Sequence, residues 1–578
     1  MCGIAGMIGS KASIETAKAM ADRLRHRGPD GEGSWSAPGV ALAHRRLAII
    51  DLSPGGAQPM RHGDHVITYN GELYNYRELR RQLDEPLNSS SDTEVLLRLL
   101  ARDGKRCLQQ LAGMFAFGLW DGAQRRFLAV RDRLGIKPFY YRQLDDGLAF
   151  ASELKALLLL GKPPIDQSAV RDFLFHGYIP APKTIYHGIC KLPAGHWLEW
   201  QDGRIRIERY WHASTHIRPR SGRETIAELD ALLKQVVPEQ TVADVPVGVF
   251  LSGGIDSALT ASYLDRPHTY TLDFPGDRRS ESAAARAVAA KLGTRHTEMA
   301  TRPADLDEAL ARLPQLFDEP FADSAAWSNY LIAQCARREV TVALSGEGGD
   351  EIFCGYPRYW SDVGARSTAG NRFLARRLPP LSRLGQSMQR RALAGPAGFS
   401  AALGALTAVQ VDALLQPAWQ ERDYPYGWFY EQFWREDLAP LAQLRWLDLN
   451  TNLPEGLLVK VDRTSMAHSL EVRPPLLDHR LVEFMLSVDP QLLVNRKAHR
   501  GKELVRKLMA PKLPPGHLDR PKSGFGLPTH SWLKGRPELV KGACDRLLAR
   551  GIFRRRVGPG FRRAWSVLML DRWLSESG

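Results

Sequence analysis

Residues 245–257 read VPVGVFLSGGIDS, and this stretch decides the fold of the second half of the chain. The apolar run at 245–251 is typical of a buried parallel strand. A glycine loop follows at 252–257, and residues 258–264 predict the opening of a helix. Strand, glycine loop and helix N-terminus in this order make a cradle whose backbone N–H groups can bind phosphate. The loop is not a Walker A motif because it lacks the Gly-Lys-Ser/Thr ending.

Further strands and helices alternate after this loop. Residues 268–274 predict a strand, 282–292 a helix and 340–344 another strand, which ends in SGEGGDE at 345–351. Ligands of open α/β sheets bind beyond the carboxyl ends of the strands, so we expect both glycine loops to face one crevice.

Acidic residues interrupt the two loops that otherwise suit phosphate. They are Asp256, Asp350 and Glu351. Mg²⁺ bridging carboxylates and a polyphosphate would explain all three, whereas an N-cap role would explain Asp256 alone.

The first 199 residues carry a different pattern. Short strands alternate with turn signals such as Asn70-Gly71 and Asp121-Gly122. One helix is predicted at 92–102 from apolar residues at helical spacing. This pattern favours layered sheets with helices packed outside them.

Cys2 is the first candidate catalytic residue. Removal of Met1 would leave a thiol and an α-amine on one residue, and the amine could serve as the base for the nucleophile. A cysteine at this position could also be accidental, but three stretches that look chemical follow it. They are Arg25–Gly31 (RHRGPDG), Arg46 in a strand-like run, and Asn70-Gly71-Glu72, where an amide and a backbone N–H could hold one oxyanion. Taken singly, each has an ordinary alternative: a turn salt bridge, a snorkelling arginine and a hairpin turn.

Composition limits the classes of protein that remain. A chain of 578 residues predicts two or more domains. Its six scattered cysteines argue for a reducing compartment and against a zinc site, and no leader or membrane-spanning run is evident, so a cytoplasmic enzyme is expected. The net charge of +14 concentrates late in the chain, in arginine clusters at 372–391 and 554–563. We interpret these clusters as solvated surface and expect neither a nucleic-acid partner nor a membrane.

The first half resembles class II glutamine amidotransferases, which have an N-terminal-nucleophile fold of αββα layers. The resemblance runs through GMFAF at 113–117, RDRLG at 131–135 and ASE at 151–153, and it covers about the first 155 residues. It implies that Cys2 attacks the amide of glutamine to give a thioester and ammonia. It also implies an oxyanion hole at Asn70 and Gly71, a carboxylate-binding role for Arg46, and an α-ammonium site at Glu72 and Asp92. The residues implied to bind glutamine are Arg46, Leu47, Ala48, Ile49, Ile50, Asn70, Gly71, Glu72 and Asp92.

The second half resembles the synthetase domain of the asparagine synthetase family, in its longer bacterial form. The resemblance rests on the SGGxDS loop, residues 457–473, GKELVR at 501–506 and RPKSGFG at 520–526. It implies a doubly wound α/β domain of the ATP-pyrophosphatase type with helical additions. The expected organisation is a glutaminase domain at 1–210 and a synthetase domain at 225–578.

The second resemblance also implies roles for residues of the two glycine loops. Glu347 would act at the acyl-adenylate and Lys502 on the phosphates, although Lys502 could instead be a surface lysine. Asp256 and Asp350 would hold Mg²⁺. The residues implied to bind ATP or pyrophosphate are Leu251, Ser252, Gly253, Gly254, Asp256, Ser257, Leu272, Ser345 and Gly346.

Together the resemblances imply an ATP-dependent amidation of aspartate to asparagine by way of β-aspartyl-AMP. Ammonia would come from glutamine, the products would include AMP, pyrophosphate and glutamate, and a homodimer is compatible with this expectation. Two departures weaken the choice of aspartate. The chain reads PPLLD at 474–478 where the family reads VPFLD, and SAAW at 324–327 also differs from the common form of the family. A different carboxylate, on a sugar, peptide or secondary metabolite, therefore remains as an alternative acceptor. A basic binding protein on an inactive scaffold is the alternative from another class.

Overall fold

The structure is a computed structural model of the chain. It describes residues 1–277, 280–302, 305–360, 373, 377, 398–399, 405–421, 423–520, 533–557 and 564–577.

Twelve strands of the first half form two six-stranded antiparallel sheets. The strands are β1 (Gly3–Ile8), β2 (Gly31–Ala37), β3 (Val40–Arg46), β4 (Met60–His62), β5 (His65–Leu73), β6 (Gly113–Asp121), β7 (Arg126–Arg131), β8 (Tyr140–Gln143), β9 (Leu148–Ala151), β10 (Ile189–Lys191), β11 (His196–Gln201) and β12 (Arg204–Arg209). One sheet has the order β10-β8-β9-β1-β3-β2 and the other β12-β11-β7-β6-β5-β4. Helices lie on the outer faces, at Ile14–Asp22 over β1 and β3 and at Asp92–Asp103 over β4 and β5.

The space between the two sheets is filled by side chains from both. Ile4 and Leu42 of one sheet share a buried cluster with Ala116 and Phe127 of the other. The layers therefore follow the αββα order, and the prediction of an N-terminal-nucleophile fold is confirmed.

The second half is built on a parallel sheet with the order β15-β14-β13-β16-β17. Its strands are β13 (Val247–Phe250), β14 (His268–Asp273), β15 (Arg295–Ala300), β16 (Val342–Leu344) and β17 (Glu471–Arg473), and a small hairpin adds β18 (Val494–Asn495) and β19 (Arg500–Gly501). The predicted strand at 245–251 begins later because Pro246 has no N–H for the ladder and only its carbonyl accepts, from Thr341 and Val342.

Further α-helices complete both halves in the described parts of the chain. They occupy Tyr76–Arg80, Leu154–Leu157, Gln167–His176, Gly222–Glu239, Ile255–Ala261, Ser282–Leu292, Asp305–Phe317, Ala325–Ala336, Gly349–Ile352, Ala408–Leu414, Trp428–Glu431, Pro440–Asn450, Leu458–Met466, His479–Leu486, Glu503–Met509, Pro537–Ala549 and Ala564–Ser577. The helix predicted at 282–292 is present with those bounds, and the one predicted at 258–264 begins three residues earlier.

The two halves share one apolar core. A single buried cluster runs from Ala5 and Phe173 in the first half to Leu233, Leu344 and Leu570 in the second. Ion pairs cross the same boundary, so the halves are joined by both apolar and charged contacts. These pairs are Arg27–Asp462, Lys137–Asp462, Arg131–Glu455, Lys191–Glu319 and Arg463–Glu153.

Only part of the two arginine clusters lies within the described residues. Arg377, Arg554, Arg555 and Arg556 are exposed, as expected for solvated surface, whereas Arg372, Arg376, Arg383, Arg390, Arg391, Arg562 and Arg563 lie outside. Within the described ranges, no helix combines the length and the apolar character needed to cross a membrane.

Candidate active sites

The first site lies where strands of the two antiparallel sheets meet. Cys2 immediately precedes β1, and its backbone N–H donates to Asn70 Oδ1 of β5 at 2.9 Å. The Cys2 thiol lies 4.0 Å from the carbonyl oxygen of Leu47. Asn70 Nδ2 is buried and has no hydrogen-bond partner among the described residues, so it is available to an oxyanion beside Cys2. Gly71 belongs to a crowded strand pair, because a Cβ there would lie 2.4 Å from the Met114 carbonyl oxygen.

The groups around Cys2 shift the pKa of its thiol in opposite directions. Burial raises the pKa of the thiol, while the nearby chain-terminal ammonium, the Leu47 backbone and Arg46 act to lower it. Met1 is only 2% exposed, and its ammonium lies 3.2 Å from Glu471 Oε2. The α-amine of Cys2 becomes available as a base only after Met1 is removed.

A small cavity beside Cys2 collects most of the expected glutamine-binding residues. Its lining includes Cys2, Arg46, Leu47, Ile49, Ile50, Gly71, Glu72 and Asp92. Ala48 is not part of this lining, and its N–H instead donates to Asp30 at 2.9 Å. The guanidinium of Arg46 donates to the carbonyls of Ser53, Ile50 and Asp51, which orients the side chain at the end of β3.

Two carboxyl groups occupy the position expected to bind an α-ammonium. Asp92 accepts from the Tyr69 hydroxyl and the Leu73 N–H, both at 3.0 Å, and burial raises its pKa to about 6. Burial and the neighbouring Asp92 raise the pKa of Glu72 well above its usual range, although Arg473 opposes this. Asp92 is therefore anionic above about pH 6, whereas Glu72 depends on nearby positive charge to ionise.

The second site is a large cavity beyond the carboxyl ends of β13 and β16. It has a volume of about 900 Å³, within the size range of small-molecule sites. Both glycine loops line it, as expected from the sequence: Leu251, Ser252, Gly253, Gly254, Asp256, Ser257, Ser345, Gly346, Glu347 and Asp350. Leu272 does not; it is 2% exposed within β14. The loops touch, since a Cβ on Gly346 would lie 2.7 Å from the Ser257 nitrogen.

Lys502 lies between the two acidic residues of these loops. Its ammonium pairs with Asp256 and, at 2.6 Å, with Asp350 Oδ1. Lys502 has a left-handed backbone (φ +62°), a conformation uncommon for a residue with a side chain. Burial lowers the pKa of Lys502, but the two carboxylates outweigh burial and the net shift is upward. Lys502 is therefore a buried cation at the cavity wall and not a surface lysine.

The carboxylates of Asp256 and Asp350 suit Mg²⁺, which commonly takes one or two protein carboxylates and completes its shell with phosphates and water. Among the described residues, no group of three or more His, Cys, Asp or Glu side chains is placed to hold a metal by itself. An ion here would need phosphate oxygens as further ligands.

Several residues of the two cavities had no role predicted from the sequence. Lys460 lies 3.1 Å from Asp323 in the large cavity, and Coulombic attraction to Lys460 opposes the burial that raises the pKa of Glu347. Glu471, from the second half, lines the cavity beside Cys2, and Arg473 pairs with Glu72, which also lines it. Charged residues in apolar stretches were the available signal, but Asp323, the partner of Lys460, and Glu72, the partner of Arg473, lie more than a hundred positions away in the chain.

Comparison with known proteins agrees with this two-site arrangement. A model of the glutamine amidotransferase domain matches residues 1–211, and one of asparagine synthase matches residues 228–575. The chain belongs to the asparagine synthase family. "Asparagine synthetase [glutamine-hydrolyzing] 1" of Bacillus subtilis is 32% identical over 575 residues, which is 92% of this chain and 88% of that protein.

Other relatives of this asparagine synthase family member carry two kinds of name. "Asparagine synthetase [glutamine-hydrolyzing] 3" of Bacillus subtilis is 31% identical, over 94% of this chain and 89% of that protein. "Amidase chry2" of Gibberella zeae is 28% identical, over 93% of this chain and 90% of that protein. The names differ although the similarity extends over both halves in each case.

Proposed function

We propose that this protein amidates the side-chain carboxylate of aspartate, using ATP to activate the carboxylate and glutamine to supply ammonia. The observation that carries this proposal is the large cavity of the second half, where Glu347 and Lys502 lie together with both glycine loops. The family match and the Cys2–Asn70 contact support the accompanying glutaminase reaction.

At the first site, the Cys2 thiol gives its proton to its own α-amine after Met1 is removed, and Sγ attacks the amide carbon of glutamine. Asn70 Nδ2 and the Gly71 N–H donate to the oxyanion of the tetrahedral intermediate. The C–N bond breaks, the α-ammonium returns the proton, and ammonia leaves. Water then hydrolyses the thioester to glutamate. Arg46 pairs with the substrate α-carboxylate, and Glu72 and Asp92 bind its α-ammonium.

At the second site, an aspartate carboxylate oxygen attacks the α-phosphorus of ATP, and pyrophosphate leaves. The product is β-aspartyl-AMP, whose acyl carbon is a much better electrophile than that of a carboxylate. Lys502 stabilises the charge on the departing pyrophosphate. Mg²⁺ held by Asp256 and Asp350 would supply further charge neutralisation on the polyphosphate.

Ammonia then attacks the acyl carbon, the C–O bond to AMP breaks, and asparagine forms. Attack by NH₃ requires loss of a proton from the new C–N centre, and Glu347, which lines the cavity, would accept it. Burial raises the pKa of Glu347, with Lys460 opposing, and a raised pKa makes the carboxylate a stronger base.

The test is pyrophosphate release from the purified protein with ATP, Mg²⁺ and glutamine, with and without aspartate. We expect release to depend strongly on aspartate and asparagine to accumulate with amide nitrogen from glutamine. Glutamate formation without aspartate-dependent pyrophosphate would contradict aspartate as the acceptor.

A second candidate is the same reaction on another carboxylate. Two observations favour this second candidate: a relative is named as an amidase, and the loop at 474–475 has a second proline. The two candidates are separated by screening carboxylates on small sugars, peptides and amino acids for AMP formation. Only the true acceptor should cause AMP to form from ATP.

A further inference from the structure

Arg473 belongs to the second half, but its side chain contacts Glu72, which lines the proposed glutamine site of the first half. It is the last residue of β17 and is fully buried. Its Nη2 donates to Glu72 Oε2 at 3.1 Å, and its Nε donates to Glu471 Oε1 at 2.6 Å. Its Nη1 donates to the carbonyls of Gln240 and Val242, at 2.9 and 2.6 Å. All three guanidinium nitrogens are thus held, and the side chain has one defined direction.

The backbone of the same residue contacts the nucleotide loop. The carbonyl oxygen of Arg473 accepts from the N–H of Ser345 at 2.9 Å, because β17 pairs in parallel with β16 and Leu344 faces Arg473. Ser345 is the first residue of the loop that lines the large cavity. One residue therefore contacts the proposed ammonium-binding carboxylate through its side chain and the nucleotide loop through its backbone.

The charges around Glu72 explain why its contact with Arg473 matters. Glu72 is fully enclosed and lies near two other acids, Asp92 and Glu471, all of which favour its neutral form. Arg473 is the charged side chain paired with Glu72, while Glu72 Oε1 has no hydrogen-bond partner among the described residues. Oε1 can accept a hydrogen bond from a substrate ammonium while Arg473 holds the carboxyl group in this orientation through Oε2.

We propose that Arg473 is a positioning residue of the glutamine site, which holds Glu72 Oε1 aimed at the substrate ammonium and passes displacement of the Ser345–Gly346 loop to that site. This inference rests on the proposed function. It predicts a coupling between the two sites: a nucleotide that shifts the loop alters the affinity for glutamine, and glutamine alters the affinity for the nucleotide by the same factor.

The first test compares Arg473→Lys with a matched control, Arg463→Lys. Arg463 is also a buried arginine of the second half, paired with Glu153 of the first half at 2.5 Å and with Asp318 at 3.0 Å. Neither of these carboxylates lines the glutamine-site cavity, whereas Glu72, the partner of Arg473, does. Lysine keeps the charge and loses the fork, so it cannot hold Glu72 and Glu471 while satisfying two carbonyls.

We expect Arg473→Lys to raise the KM for glutamine at least tenfold, with ammonia-dependent synthesis within about twofold of the wild type. The control should leave the KM for glutamine unchanged. An unchanged KM in Arg473→Lys, or parallel loss of glutamine- and ammonia-dependent synthesis, would overturn the positioning role. Wild-type glutaminase and synthesis are measured first, so that failure of the proposed function is seen separately.

The second test does not require the arginine variants to fold. Glutamine binding to the Cys2→Ala protein is measured by calorimetry with and without a non-hydrolysable ATP analogue, and analogue binding is measured with and without glutamine. We expect the two dissociation constants to change by the same factor, at least threefold. Equal glutamine affinity in both conditions would overturn the transmission between the sites.

Discussion

In the proposed mechanism, Cys2 provides both the nucleophile and the base of the first site. Its backbone nitrogen already contacts Asn70, so removal of Met1 would create the α-amine at the place where the proposed oxyanion donor lies. The thiol is buried and its pKa is raised, which means that the thiolate forms only when a base takes its proton. The separation of the two sites makes the role of this residue directly testable.

Cys2→Ala should abolish glutamine-dependent synthesis and leave ammonia-dependent synthesis close to the wild-type rate, because alanine has no nucleophile and the second cavity is untouched. Product formation with glutamine or with an ammonium salt as nitrogen source provides the measurement. Simultaneous loss of both activities would show that the roles of the two halves are not separable in this way.

The glutamine site should also respond to pH through Asp92. Its pKa in the folded protein is about 6, above its ordinary value of 3.8, and the groups facing it are Tyr69, Glu72 and Glu471. A raised pKa means that the anion needed to bind ammonium is lost as pH falls through about 6. The KM for glutamine should therefore rise below pH 6 and level off above it.

This dependence is measured as glutaminase KM between pH 5 and 8, with Asp92→Asn as the control that lacks the titrating group. The variant should have a high KM with little change around pH 6. A wild-type KM that is constant across the range would refute the assignment of Asp92 to the substrate ammonium.

Helices and strands with a local sequence pattern were predictable, whereas contacts between distant parts of the chain were not. The helix at 92–102 was found as Asp92–Asp103 because its apolar spacing is a local property. The strand-like run that contains Arg46 instead ends at Arg46 itself, whose side chain turns back onto the Ile50 and Asp51 carbonyls.

In the candidate sites, too, residues in local motifs were predictable and contacts between distant residues were not. Loop residues such as Gly253 and Ser345 follow recognisable strands, so their meeting in one crevice was predictable. The contact between Arg27 and Asp462 joins positions 435 apart, and no periodicity carries that information. Lys460 was missed for the same reason, since its role follows only from where its helix packs.

The glycines of the second cavity show how closely its elements approach. A Cβ on Gly355 would lie 1.9 Å from Asp350 Oδ1 and 2.2 Å from Lys502 Cε. Gly355→Ala should thus displace the Lys502 ammonium and reduce ATP-dependent pyrophosphate release at least tenfold, with glutaminase activity retained.

Gly222→Ala is the matched control, because a Cβ there meets only Leu504 Cδ2 at 3.8 Å. It should behave as the wild type in both assays. Normal pyrophosphate release from Gly355→Ala would argue against a requirement for the observed position of Lys502.

The two halves of the molecule form one interior. Arg27 is fully buried and pairs with Glu153 at 2.8 Å in its own half and with Asp462 at 2.8 Å in the other. Loss of one partner from a buried network leaves a charge without compensation, which commonly costs about 3–5 kcal/mol.

Asp462→Asn should accordingly lower the free energy of unfolding by about 3 kcal/mol and weaken both halves together. Denaturant unfolding followed by tryptophan fluorescence and by loss of glutaminase activity is the measurement, and the two curves should coincide. Asp145→Asn, at the exposed pair with Lys11, should cause no measurable change. Separate transitions for the two probes would contradict a shared interior.

The shared interior also limits recombination between relatives. Exchanging residues 1–210 for the corresponding segment of a homologue would cut through the apolar cluster and separate Arg27, Glu153 and Arg473 from their partners across the boundary. Chimeras designed to acquire a new acceptor should therefore retain both faces of this boundary and graft only loops that line the large cavity.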